Sequence, residues 1–146
     1  MAGKHWVQYH IPDRMGCGID ECGTDENEGE GGGFGLVTSK DCGVHDPRGD
    51  VAWVVGKTQD ENSPVYLGWW FVVEAVEPSD HPEFLYQFIG SIGGSCNPMP
   101  MISDEPWFHQ LLGITGNFRY GLTEIKLRAV LNGLRAAAAG AGSPQQ

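Results

Sequence analysis

The chain has 146 residues, nineteen acidic against nine basic for a formal charge of −10, with 40% hydrophobic and 10% aromatic residues. That length suits one domain with a core that needs no staples, and the charge excludes the broad basic face that binds nucleic acid through its phosphates. No apolar run of roughly 18 residues and no charged-then-apolar leader marks a membrane span or a signal peptide, so a cytoplasmic protein with its cysteines as free thiols is expected.

Residues 5–10, His-Trp-Val-Gln-Tyr-His, read as an N-terminal strand. Trp6, Gln8 and His10 share one face, Val7 and Tyr9 the other, and Pro12 ends it because proline removes a ladder donor. Residues 13–33 are an acidic, glycine-rich insertion expected to be mobile and solvated. Its acids Asp13, Asp20, Glu21, Asp25, Glu26, Glu28 and Glu30 against Arg14 carry −6 of the −10. Lys40, Arg48, Lys57, Arg119, Lys126 and Arg128 remain available for a local positive patch.

Phe34–Ser39 is a short strand. The turn Gly49-Asp50 then feeds Val51-Ala52-Trp53-Val54-Val55-Gly56, and residues 65–76, with Tyr66-Leu67-Gly68-Trp69-Trp70-Phe71-Val72-Val73-Glu74, form a longer strand. Strands rich in Val, Trp, Tyr and Phe fit a pleated, half-buried surface, and the polar loop between these two makes them an antiparallel pair. Strict alternation places Val65, Leu67, Trp69, Phe71, Val73 and Ala75 on one face, and Tyr66, Trp70, Val72, Glu74 and Val76 on the other.

Pro82–Ile89 reads as a short helix, since Pro82 suits a first helical position and Phe84, Leu85 and Phe88 fall at helical spacing. A further turn or two of helix is expected over 105–112, then a final strand or irregular segment at 117–122. Leu127, Val130, Leu131 and Leu134 form one stripe of an amphipathic helix. Residues 1–135 therefore read as a single domain, and 136–146 as a low-complexity tail frayed at its end.

The ordered set Trp6-Val7-Gln8-Tyr9-His10, Gly49-Asp50 with Trp53-Val54-Val55-Gly56, Tyr66 to Glu74, and Asn117-Phe118-Arg119-Tyr120-Gly121-Leu122 resembles small bacterial proteins of the PUA-like superfamily. That superfamily includes the EVE, YTH, ASCH and SRA domains and nucleotide-modification-associated domains. The resemblance spans roughly residues 5–125. It implies an α+β fold, a small, mainly antiparallel curled β-barrel with two or three flanking helices, and a cleft that accepts a modified or flipped base.

The aromatic residues Trp6, Tyr9, Trp53, Trp69, Trp70, Trp107, Phe118 and Tyr120 divide between core and recognition surface. Adjacent Trp69 and Trp70 must face opposite ways on a strand, so one of them leaves the core. The expected ligand-binding residues are Trp6, His10, Ser39, Trp53, Trp70 and Asn117: stacking supplies affinity, and His10, Ser39 and Asn117 supply selectivity. Cys17-x4-Cys22 with Cys42-x2-His45 approximates a structural zinc spacing, but free thiols are the favoured reading and no metal or cofactor is expected. Catalytic motifs are absent: the chain has no Gly-x-Ser-x-Gly elbow, no His-Glu-x-x-His, and no Lys-Ser/Thr after Gly31-Gly32-Gly33-Phe34-Gly35. A non-catalytic module for a modified nucleobase or similar small aromatic ligand is thus the leading expectation, with a homodimer among its partners. The alternative is an interaction protein that uses its aromatic face and C-terminal helix to self-associate or bind a protein.

Overall fold

Gly49 takes φ +93°, a left-handed value that glycine adopts without steric cost, and the turn it makes lets the buried Asp50 point back under the first strand. The Asp50 carboxylate accepts the backbone N–H of Lys4 at 2.9 Å and the indole Nε1–H of Trp6 at 2.8 Å. Two sequence-distant segments are thereby bolted together, and the strands that follow run side by side.

The computed structural model describes residues 3–11, 17–22, 34–39, 46–60, 62–80, 83–96, 98–118 and 121–142. In chain order the elements are β1 (His5–His10), a single helical turn α1 (Ile19–Cys22), β2 (Phe34–Thr38), β3 (Val51–Gly56), β4 (Tyr66–Val72), β5 (Ala75–Pro78), β6 (Tyr86–Gly90), β7 (Gly93–Ser95), α2 (Phe108–Ile114), β8 (Thr123–Glu124) and α3 (Arg128–Gly142). The class is α+β. A five-stranded sheet has the order β7-β4-β3-β1-β8 and a three-stranded sheet the order β2-β6-β5. The β1–β3 pair is parallel, with Val7 opposite Trp53, and every other pair is antiparallel.

The larger sheet is the middle layer. On one side Trp6, Ala52, Val54, Trp69 and Phe71 pack with Leu36 and Phe88 of the smaller sheet and with Ile19. On the other side Val7, Trp53, Val55 and Leu67 pack with Leu111, Val130 and Leu134 of the helices. The two sheets are separate in their strand pairing, yet the chain passes between them twice. β4 bends at Val73–Glu74 into β5, and β6 bends at Ser91–Ile92 into β7. The corner brings backbones so close that a Cβ on Gly90 would lie 1.9 Å from the Val72 carbonyl oxygen, and one on Gly93 would lie 2.2 Å from that of Trp70.

Several expectations are corrected. Residues 65–76 are not one strand but two, β4 and β5, because the chain turns the corner there. The alternation along β4 breaks as well. Val65 and Leu67 face the helices, whereas Trp69, Phe71 and Val73 face the smaller sheet. The cause is a β-bulge: the pairing shifts between Val54–Trp69 and Val55–Leu67, leaving Gly68 as the extra residue that resets the period. The helix expected over Pro82–Ile89 is replaced by β6, whose Tyr86 to Gly90 pair with β2 and whose Tyr86 to Ile89 pair with β5. Leu85, assigned to that helix's apolar stripe, is instead 64% exposed. Cross-strand pairing on two sides outweighs a spacing that only three residues define.

The acidic insertion also departs from expectation in its described part. Ile19 is fully buried, and its side chain occupies the notch over Gly68 and Gly56, where added Cβ atoms would lie 2.7 and 3.2 Å from its Cδ1. Residues 23–33 lie outside the described residues. Cys17 is disulfide-bonded, which corrects the expectation of free thiols for that residue, while Cys96 is free and buried. A stretch read from composition as a decaying tail is helical as far as Gly142. No helix among the described residues is long and apolar enough to cross a membrane.

Candidate functional site

The helix-facing side of the larger sheet carries a row of rings. His5 is two residues before Val7 on the same face of β1, Val7 is opposite Trp53, and Trp53 is opposite Trp70. Ring centroids are 6.2 Å apart for His5–Trp53, with planes at 28°, and 6.1 Å for Trp53–Trp70, with planes at 34°. Trp53 is buried. Trp70 is only half-buried, and its outer neighbour is Gly94 of the edge strand β7. A Cβ there would lie 3.2 Å from the Trp70 Nε1, so the indole lies over a residue with no side chain to flank it.

The same face continues at Tyr9, which stacks on Phe118 at 4.5 Å and 15°. Phe118 belongs to an unusual turn after α2, in which Gly116, Asn117 and Phe118 have φ of 60°, 58° and 68°. Left-handed backbone is costly for a bulky residue and is normally visited singly. Here it is held by Asn117 N–H donating to the Leu112 carbonyl at 2.8 Å and Phe118 N–H donating to the Thr115 hydroxyl at 3.1 Å. Strain of this kind, of order 1–3 kcal/mol per residue, persists where surroundings over-determine it and concentrates at functional sites. It presents Asn117 to solvent beside the Tyr9–Phe118 stack.

The six expected ligand residues are not gathered in one place. Trp53 and Trp70 belong to the helix-facing side, and Asn117 is exposed on the turn next to Phe118, which packs there. Trp6 and His10 face the smaller sheet, where both are buried. Trp6 gives its N–H to Asp50. His10 packs edge-on against Trp69 at 6.1 Å, and its Nε2 is 2.9 Å from the Cys17 carbonyl oxygen, which makes that nitrogen the donor. Burial holds its pKa below the ordinary value of 6.5, against the opposing pull of that bond. Ser39 is exposed just beyond β2. The signal that separates these residues is the alternation of β1, which was legible in the sequence: residues 6 and 10 cannot share a face with Trp53's partner Val7.

Two members of the face were missed from sequence. His5 sits at the end of the ring row, with Nδ1 3.1 Å from the Trp53 Nε1 and Nε2 3.4 Å from the Arg135 guanidinium. Arg135 comes from α3, at a separation in sequence that no local pattern can bridge. Arg48, proposed for a positive patch, is bound by its own loop through Asp46 at 2.9 Å. Lys40, Arg119, Cys42, His45 and Tyr120 lie outside the described residues. The weighed zinc set would need a thiolate from Cys17, which its disulfide removes. Burial pushes the Cys96 thiol up to about 11, so at neutral pH it is neither a nucleophile nor a ready ligand.

Compared with models of known families and with curated proteins, the chain matches none. The face combines an aromatic row of mutually inclined rings with one half-buried indole, an amide on a strained turn, and an imidazole–guanidinium pair at the far end.

Proposed function

We propose that this protein is a non-catalytic recognition module that binds a modified nucleobase, or a similar small planar ligand, against the helix-facing aromatic row. The observation that supports the reading is Trp70. It is a half-buried indole tilted against a fully packed one, lying over a glycine whose missing side chain leaves room beside the ring. Stacking of a base on an aromatic side chain is worth about 1–3 kcal/mol and tolerates many ring types, so the selectivity must come from polar groups at the rim. Asn117 offers both a donor and an acceptor for a base edge. Kinship with the PUA-like superfamily belongs to the same proposal. The bent β4–β5 and β6–β7 strands, which carry one hairpin through both sheets, are what a curled barrel would require.

The test is tryptophan fluorescence against modified and unmodified nucleosides. Saturable quenching by a ring ligand, lost in Trp70→Ala with the fold intact by circular dichroism, is the expected outcome. Quenching that survives Trp70→Ala would remove the aromatic row from the reading. A second reading, self-association or protein binding, is favoured by exposed apolar residues of the smaller sheet and its ends: Leu85 before β6, Ile92 after it and Val76 on β5 are 64%, 60% and 38% exposed. A dimer on a sizing column that dissociates in Leu85→Asp would favour it.

A further inference from the structure

His5 is flanked by two groups that can only donate. The Trp53 indole N–H faces its Nδ1 at 3.1 Å and the Arg135 guanidinium faces its Nε2 at 3.4 Å. A neutral imidazole has one N–H and one acceptor, so it can satisfy only one of them. Burial decides which. Trp53 is 4% exposed, and an unmet buried N–H costs about 1–3 kcal/mol, whereas Arg135 is exposed and water serves it. Nδ1 is therefore the acceptor and the proton sits on Nε2.

The consequence is a pair of donors, His5 Nε2–H and the Arg135 guanidinium, converging with no acceptor between them among the described residues. Protonating the ring does not relieve this, because a proton on Nδ1 would then oppose the Trp53 N–H. Burial and the Arg135 charge both hold the His5 pKa down, and Asp50 only partly offsets them. The Asp50 oxygens are engaged with Lys4 and Trp6. Among the described residues Arg135 makes no ion pair.

We propose that His5 Nε2–H and Arg135 form a subsite for an oxyanion, a phosphate or carboxylate carried by the ligand, at the His5 end of the aromatic row. The inference rests on the recognition reading and sharpens it: the ligand is an anionic ring compound, a nucleotide rather than a free base. Arginine's planar fork matches such an oxyanion in two contacts. Two local donors also explain how a chain of net charge −10 could hold an anion, since selection then falls to short contacts rather than to the field of the whole molecule.

The experiment uses the full chain and three probes: inorganic phosphate, adenosine and adenosine 5′-monophosphate, at fixed ionic strength. Phosphate should shift the His5 imidazole resonances saturably in the wild type and in Arg135→Lys, and not in Arg135→Gln. Charge-assisted hydrogen bonds lead us to expect the monophosphate to bind roughly tenfold or more tighter than the nucleoside, with Arg135→Gln erasing that difference. No phosphate-dependent shift of His5, or equal binding of nucleoside and nucleotide, overturns the oxyanion subsite while leaving the aromatic row in place. A phosphate response without tryptophan quenching by either ring compound supports the subsite and counts against the ring-binding reading.

Discussion

Asp50 shows how much one residue can decide. Its buried carboxylate accepts two N–H groups from the start of the chain, the Lys4 backbone and the Trp6 indole. Asp50→Asn keeps the shape but replaces one acceptor with a donor, so either Lys4 or Trp6 loses its bond against an opposing N–H. The expected cost is about 1–3 kcal/mol, read as a lower urea midpoint with unchanged slope. His10 gives the pH counterpart. Its folded pKa lies below 6.5, chiefly through burial. On acidification the unfolded chain takes up the proton first. Stability is thus complete above the ordinary value and is lost as the pH falls from there through the lowered folded value. His5 shifts in the same direction. Denaturant titrations of wild type and His10→Gln between pH 7.5 and 5 should show a shallower acid loss in the variant. Equal slopes would mean that His10 is not held neutral by its surroundings. At this scale the sequence was only half legible. That Trp69 and Trp70 face opposite ways followed from strand geometry, but which side of the sheet each one faces followed from the bulge at Gly68.

At the scale of elements, glycine positions separate packing from propensity. α3 contains Gly133 and Gly140. A Cβ on Gly133 would lie 2.2 Å from the Trp107 ring, while nothing lies within 4 Å of one on Gly140. Alanine is the better helix former by about 1 kcal/mol. Gly140→Ala should therefore stabilise, by somewhat less than that because it lies near the helix end. Gly133→Ala should destabilise instead, by about 1–3 kcal/mol for an overpacked contact, and should shift the Trp107 emission. Thermal unfolding of the two variants checks both signs. The stripe Val130 and Leu134 was legible as a helix face because a 3.6-residue period needs only local information. β6 was not, because its strand conformation comes from β2 and β5 on either side, and its apolar residues fit both periods.

For the whole molecule, the net charge opposes one kind of contact. An excess of ten acidic charges opposes any backbone-driven attachment to nucleic acid. Random-sequence duplex DNA should therefore leave the protein unbound even at low ionic strength, in a mobility-shift assay that covers micromolar protein. A salt-sensitive complex with such DNA would contradict the picture of a single local anion subsite.

Residue periodicity by itself determined strands at β1, β2, β3 and β4, two helical stretches after residue 105, and the opposite facing of Trp69 and Trp70. These are local properties, set by which side chains fit a pleated or helical surface. Only the tertiary structure decided that Trp6 and His10 are buried on one side of the sheet while Trp53 and Trp70 line the other. It also decided that β4 changes phase at Gly68, that Ile19 plugs the notch this creates, and that Arg135 meets His5. Each of these depends on contacts between segments far apart in the chain, where burial and hydrogen-bond completion outweigh local preference.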